Sequence, residues 1–157
     1  MDFREYKRSA VRHLLTCQQL IDKSTILKQE NKTAILLNVY YLSGYVVETC
    51  LSYAYFSHIK HQGPVENCKA YATDGFKTHR FDVKIKFIMG VNGDLNSIPF
   101  INNKSQFDKL NLLFNNWSTD YRYSATEKIK ERDLTEELLT KYLEQLNILL
   151  ETIFRRF

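Results

Sequence analysis

The fold is decided by residues 34–59, which read AILLNVYYLSGYVVETCLSYAYFSHI. Glu48 is the one acidic residue in this stretch, which contains no lysine or arginine. At about 3.6 residues per turn, the other side chains form two adjacent apolar stripes: Ile35, Val39, Leu42, Val46, Cys50, Leu51 and Ala54 in one, and Leu36, Tyr40, Gly44, Val47, Leu51 and Tyr55 in the other. A helix that is apolar around most of its circumference is covered on several sides. The stretch therefore predicts a long central helix.

Length and composition favour one helical domain over residues 1–157. The chain is 44% hydrophobic and 25% charged, and it has two prolines and five glycines. So few helix breakers favour long helices over a sheet protein with many turns. The net charge of +4 permits a nucleic-acid partner without requiring one.

Cysteine usage and hydropathy predict the compartment. Cys17, Cys50 and Cys68 show no CxxC spacing, and the first two fall on apolar helix faces. We interpret them as reduced core residues, which, with no signal-peptide pattern in residues 1–10, predicts a cytoplasmic protein. Residues 34–59 are long enough to span a membrane, but a carboxylate near the middle of a single span costs about 3 kcal/mol. We therefore expect a soluble core helix and no membrane partner.

The first and last helices are predicted from apolar residues at three- and four-residue steps. The first covers residues 2–22, and its other side carries a basic ridge that is either a solvated face or a surface for phosphates: Arg4, Lys7, Arg8 and Arg12. Residues 23–32 are polar and let the chain turn back. For the last helix, Asp133 followed by Glu136 resembles a capping arrangement.

Two further helices are predicted between these. Residues 79–91 alternate as a strand does, but they also fit a helical face, and no partner strand is visible, so we predict a short helix. Ser105 is a plausible N-cap for a helix that carries Phe107 and Trp117. About five helices, three of them long, favour an all-α, up-and-down antiparallel bundle.

Four segments in this order resemble a HEPN domain (higher eukaryotes and prokaryotes nucleotide-binding). They are YLSGYVVE at 41–48 in the apolar second helix, THRF at 78–81 opening a short helix, Trp117, and RYS at 122–124 before the last helix. The resemblance covers most of the chain. It implies an all-α bundle that dimerises through its long helices.

The same resemblance implies two kinds of function. Several HEPN branches are RNases, often toxins or antiviral effectors, and others are inactive partners of nucleotidyltransferase-like proteins or scaffolds. The RNases carry Arg, four to six residues and then His near the last long helix. No histidine follows His79 here, so Arg122 and Arg132 have no such partner. The one formal match, Arg8 with His13, lies in the first helix with its members on different sides.

Arg122 is the first binding candidate, because an arginine fork can hold a phosphate and the tyrosines beside it can stack a base. It could instead bond Glu48 or helix-end carbonyl groups, with Trp117 as core. Glu48 needs a partner if it is buried, and Arg122 or His79 could supply one. The predicted ligand-binding set is Arg122, Tyr123, Trp117, Glu48, Tyr45 and His79.

Four aromatic residues lie away from the first stripe of the central helix: Tyr41, Tyr45, Tyr53 and Phe56. They form either core or a homodimer surface, where the Ser43–Gly44 pair would let two backbones approach. His58, His61 and Cys68 lack a fourth ligand at convincing spacing, so we predict no metal. The sequence has no glycine-rich phosphate loop, no nucleophile elbow and no paired acidic motif with a two-metal spacing, so other enzyme classes are unsupported. We predict no cofactor.

These observations predict a HEPN-like module without RNase activity, which binds nucleotide or RNA phosphate or a protein partner, in a toxin-antitoxin or defence system. The alternative is a divergent metal-independent RNase that uses Arg8, His13 or His79. A second alternative is a purely structural subunit.

Overall fold

The computed structural model describes residues 1–101, 108–122 and 129–157. Within these ranges the chain forms α-helices: α1 (Arg4–Ser24), α2 (Gln29–His58), α3 (Lys69–Ala72), α4 (Phe81–Gly90), α5 (Asp108–Asn116) and α6 (Glu136–Arg156). Short 3₁₀ turns lie at Val65–Asn67, Thr119–Arg122 and Glu131–Asp133. The described ranges contain no strand, and the predicted all-α bundle of about five helices is confirmed.

The long apolar helix α2 lies at the centre, as its sequence predicts. It contacts α1, α4, α6 and the 3₁₀ turn that ends at Arg122. Both predicted stripes are covered, and Val39, Tyr40 and Val46 have no exposed surface. Within the described residues, α2 is also the one helix with the length and apolarity of a membrane span, over Asn31–His58, and more than half of its most apolar window is buried inside the bundle.

The helix α2 begins at Gln29, five residues before the predicted start at 34. Its first residues, QENKT, are polar, so the apolar pattern could not reveal them. Gln, Glu and Lys nevertheless favour helix, and an amphipathic pattern marks only the part of a helix that is buried. The connection between α1 and α2 therefore consists of residues 25–28 and is shorter than the predicted one, residues 23–32. So short a connection makes α1 and α2 antiparallel neighbours.

The segment predicted as a helix over residues 79–91 is helical as α4. Phe81, Lys84 and Ile88 are buried in it, at the spacing of one helical face against α2. The alternation of apolar and polar residues in this segment suggested a strand, but the lack of a partner strand was the better guide to its structure.

The N-cap of α6 differs from the predicted one. Thr135, not Asp133, occupies the cap, and its side-chain oxygen accepts a hydrogen bond from the backbone N–H of Leu138. Asp133 lies in the preceding 3₁₀ turn. Both residue types cap helices well, so the choice depended on where the turn ended. The predicted cap Ser105 and core residue Phe107 lie outside the described residues.

The core contains one buried hydroxyl group that has no hydrogen-bond partner among the described residues, that of Tyr142 on α6. Tyr142 has no exposed surface. Because an unpaired buried hydroxyl is penalised by desolvation, we expect Tyr142→Phe to raise the free energy of unfolding by about 1 kcal/mol. Urea denaturation measures the change. The control is Tyr40→Phe, which removes a hydroxyl that donates to the carbonyl oxygen of Leu113 over 2.8 Å and should be destabilising.

Candidate functional site

Tyr45 on α2 is the centre of a cluster of polar and aromatic side chains drawn from four parts of the chain. Its ring centroid lies 5.6 Å from that of His13 on α1 and 5.2 Å from that of Tyr41, one turn away. His79, just before α4, is 5.9 Å away, and Trp117, just after α5, is 5.4 Å away. The bundle therefore brings together Tyr45, Trp117 and His79 of the predicted set, and it adds His13.

Arg122 is connected to this cluster through a pair of tyrosine hydroxyls. Its Nε donates to the Tyr41 hydroxyl over 2.9 Å, and that hydroxyl lies 2.8 Å from the hydroxyl of Tyr45. The guanidinium carbon is also 5.7 Å from the centre of the Tyr41 ring. Burial and then the bond to Tyr41 raise the pKa of Tyr45, against the effect of Arg122. Tyr45 therefore stays a neutral hydroxyl that can donate to a ligand.

Glu48 finds its partner in His79, one of the two candidates that the sequence offered. Nδ1 of His79 lies 2.7 Å from Oε2 of Glu48, while Arg122 bonds Tyr41 instead. The Glu48 side chain is 14% exposed and that of His79 is 58% exposed. A carboxylate held beneath an imidazole fixes the orientation of the ring. The second ring nitrogen, Nε2, is thereby left to interact with a ligand.

His13 contacts Tyr45 from α1 and is half-buried. Burial lowers the pKa of His13, and nearby Arg12 lowers it further, although Glu48 acts in the other direction. His13 is therefore mainly neutral near pH 7 and can accept a proton. Arg8, its formal motif partner, pairs instead with Glu5 on the exposed side of α1, as the helical spacing predicted.

Gly44 explains how Trp117 reaches α2. A Cβ at Gly44 would lie 1.7 Å from Cε2 of the indole, so this position can hold only glycine while Trp117 stays in place. Nε1 of Trp117 donates to the carbonyl oxygen of Tyr41 over 3.0 Å. The suggestion that Ser43–Gly44 brings two α2 backbones together is therefore wrong, because Trp117 of the same chain occupies that space and Ser43 is buried.

Phe56 and Tyr53 make their contacts outside the cluster. Tyr123 lies outside the described residues. Of the aromatic residues considered for a dimer surface, Phe56 is fully buried core. Tyr53 is half-buried and packs against Phe154. In residues 1–101, 108–122 and 129–157, no three His, Cys, Asp or Glu side chains lie close enough together to hold a metal ion.

Sequence reasoning missed the role of Tyr41 as the acceptor for Arg122 and the contact of His13 with Tyr45. The signal for Tyr41 was its position one helical turn before Tyr45. The position of His13 beside the apolar stripe of α1 predicted a structural histidine. It did not indicate which side chain His13 would contact.

The chain was compared with models of protein families, with curated proteins and with solved structures, and none of them matches it.

Proposed function

We propose that the Tyr45 cluster binds a phosphate group of a nucleotide or of RNA, and that the protein is a binding module. The observation that carries the proposal is the hydrogen bond from Arg122 to Tyr41 and the hydrogen bond between Tyr41 and Tyr45, with the rings of His79 and His13 both in contact with Tyr45. Guanidinium, phenol and imidazole groups all donate hydrogen bonds that phosphate oxygens can accept.

Charge at the surface supports an anion as the ligand. Arg122 and Arg12 are exposed, whereas the carboxylate of Glu48 is largely covered and bonded to His79. An anion at the surface would therefore meet the cations before it met the carboxylate. The resemblance of segments 41–48 and 78–81 to HEPN domains agrees with a phosphate ligand.

The test is a titration of the protein with ribose 5-phosphate and with a single-stranded RNA of ten nucleotides, followed by the fluorescence of Trp117. We expect saturable binding of both, and Arg122→Ala should weaken it about 10- to 100-fold, because bonds to charged groups contribute about 1.5–3 kcal/mol. For the RNA, a plot of log affinity against log salt concentration should be less steep in Arg122→Ala than in wild type. The magnitude of its slope should be smaller by about 0.7, which corresponds to the loss of one phosphate contact.

Arg155→Ala is the matched control, because it removes an exposed arginine that pairs with Glu151 near the end of α6. It should leave both affinities unchanged. If Arg122→Ala lowers the melting temperature but leaves both affinities at the wild-type value, Arg122 is a structural residue and the proposal fails. Binding by a protein partner then becomes the working function.

Metal-independent RNA cleavage is the second candidate, and the contact of both His13 and His79 with the Tyr45 ring favours it. His13, whose pKa is lowered, would take the proton of a ribose 2′-hydroxyl. The 2′-oxygen would attack the adjacent phosphorus, and the bond from phosphorus to O5′ would break. Nε2 of His79 would give a proton to O5′, and Arg122 would stabilise the charge on the phosphorane. The products are a 2′,3′-cyclic phosphate and a free 5′-hydroxyl.

An end-labelled RNA incubated with EDTA tests this second candidate. We expect His13→Ala and His79→Ala each to reduce cleavage by about 10²- to 10⁴-fold. His61→Ala is the control, because that ring bonds the carbonyl oxygen of Pro64, away from the cluster. Cleavage that survives in both histidine variants, or that stops with EDTA, would contradict the mechanism. Homodimerisation and a nucleotidyltransferase-like partner stay predictions, which light scattering and co-purification can check.

A further inference from the structure

A shallow groove of about 620 Å³ runs along the solvent-facing side of α1, and every residue that lines it belongs to that helix. The lining residues form two adjacent rows, in each of which successive members are four positions apart: Lys7, Val11, Leu15 and Gln19 in the first row, and Arg8, Arg12 and Thr16 in the second. When helices pack, a ridge of side chains on one helix inserts between two such rows on the other. The groove therefore has the form of a helix-packing surface, and no other helix of the described residues lines it.

The middle of the first row is apolar and open to solvent. Val11 is 38% exposed, and Leu15, one turn further along α1, is 53% exposed. In the second row, the Thr16 hydroxyl donates to the carbonyl oxygen of Arg12 over 2.9 Å, so its polar atom is already satisfied within the helix. Single exposed apolar side chains are common on protein surfaces. Two on one row beside a groove form the kind of apolar centre around which a protein interface is built.

Cations border this apolar centre, and the lining of the groove contains no carboxylate. At one end, the Lys7 ammonium lies 4.5 Å from the centre of the Phe154 ring. Arg8 pairs with Glu5, whereas the exposed Arg12 makes no ion pair with a carboxylate of the described residues. The guanidinium group of Arg12 can therefore pair with a carboxylate of another molecule.

The shape, the apolar centre and the charge of the groove together specify the chemistry of a partner. We propose that the groove is the docking site for an acidic amphipathic helix of a partner protein. Two apolar side chains of that helix, one turn apart, would pack on Val11 and Leu15. Carboxylates beside them would pair with Arg8 and Arg12. The groove shares no residue with the Tyr45 cluster, so this inference goes beyond the proposed phosphate site and does not depend on it.

Other occupants fit these observations less well. In a symmetric pair of two copies identical patches meet, so the cations of one groove would face the cations of the other with no carboxylate in either lining. An RNA backbone would be attracted by the cations but would leave Val11 and Leu15 without an apolar partner. A lipid surface would contact the tops of the two rows, whereas the ridge of a helix fills the space between them.

A labelled helical peptide of about 16 residues, long enough at about 1.5 Å per residue to cover the groove, is the probe for the whole chain. Its leucines lie at helical positions i, i+4, i+7 and i+11, and glutamate occupies the positions beside them. We expect saturable binding by fluorescence anisotropy, which weakens as salt screens the charges. The same peptide with lysine in place of each glutamate should bind at least about tenfold more weakly.

Leu15→Ser tests the apolar centre of the groove. It should weaken binding of the glutamate peptide about five- to tenfold, because a half-exposed leucine can still gain about half of its burial free energy. Leu112→Ser is the matched control, since Leu112 on α5 is 48% exposed and does not line the groove. Its affinity for the peptide should equal that of the wild type.

Arg12→Glu tests the charge of the groove. It should weaken binding of the glutamate peptide about tenfold and strengthen binding of the lysine peptide, because the sign of the charge at the interface is reversed. Lys86→Glu, at an exposed position of α4 outside the groove, is the matched control and should change neither affinity. Thermal unfolding followed by circular dichroism checks that each variant is folded.

The proposal is overturned if the wild type does not bind the glutamate peptide, or if folded Leu15→Ser and Arg12→Glu both bind it as tightly as the wild type. Vesicles of phosphatidylcholine and phosphatidylserine in equal amounts, and light scattering, are measured in parallel. Binding of the vesicles but not of the peptide would make this face a lipid-binding surface instead. A dimer that Leu15→Ser dissociates, with no binding of the peptide, would show that a second copy covers the groove.

Discussion

Replacing Gly44 with alanine is expected to lower the free energy of unfolding by about 2 kcal/mol. The new Cβ would lie 1.7 Å from Cε2 of Trp117, and the atoms of an indole ring move together. Trp117 would have to leave its place on Phe81 and lose its bond to the carbonyl oxygen of Tyr41. The better helix propensity of alanine, about 1 kcal/mol, offsets only part of that loss.

Chemical denaturation followed by circular dichroism measures this change, and the emission of Trp117 should move to longer wavelength as the indole becomes exposed. Gly90→Ala is the matched control, since an added Cβ at that position of α4 meets no atom within 4 Å. Its stability should change by less than about 1 kcal/mol. If Gly44→Ala matched the wild type in stability and emission, the close packing of Trp117 on α2 would be contradicted.

Replacing Lys84 with methionine is expected to raise the free energy of unfolding at pH 7 by about 2 kcal/mol. Lys84 is 3% exposed, and its ammonium group bonds the carbonyl oxygen of Phe76 over 3.2 Å and lies 4.2 Å from the centre of the Phe76 ring. Burial lowers the pKa of Lys84 to about 8, although Glu48 acts in the opposite direction. Methionine fills similar space and has no charge to desolvate.

The sign of the pH dependence follows from the lowered pKa of Lys84. Between pH 8 and about 10.4, the unfolded chain binds a proton at this lysine that the folded chain has released. The wild type therefore gains stability as the pH rises from 7 to 9.5, and the advantage of Lys84→Met shrinks over the same range. Lys86→Met, at an exposed position of the same helix, is the control and should show neither effect. A difference between Lys84→Met and wild type that is independent of pH would contradict this account.

The helical fold could be predicted from the sequence because its main signals are local. The apolar stretch that contains Tyr45 has Glu48 as its one acidic residue, so it had to be covered on several sides, whatever covered it. The helix α4 was identified because a single strand would leave its backbone groups unpaired. Helix ends were harder to predict, because the polar start of α2 at Gln29 carries no apolar pattern, and Thr135 and Asp133 are both residue types that cap helices.

The candidate site could be predicted only in part, because its contacts join distant positions. The sequence indicated that Glu48 needs a partner, and His79 supplies it from 31 residues away. It indicated that Gly44 permits a close approach, but the approaching group is Trp117 and not a second chain. Local periodicity shows which face of a helix is covered, whereas the identity of the covering side chain depends on how the bundle closes.

Two buried thiols, those of Cys17 on α1 and Cys50 on α2, can report how often the helical bundle opens. Cys17 and Cys50 have no exposed surface, and the thiol of Cys17 donates to the carbonyl oxygen of Val39 over 3.6 Å. Burial raises the pKa of Cys17 to about 12 and that of Cys50 still higher, so neither forms a reactive thiolate in the folded state. A thiol reagent reaches them only when the packing of the bundle around them opens, and the labelling rate then reports the frequency of that opening. Because a compound that binds only the closed bundle lowers that frequency in proportion to its occupancy, ligands can be found by their effect on labelling alone.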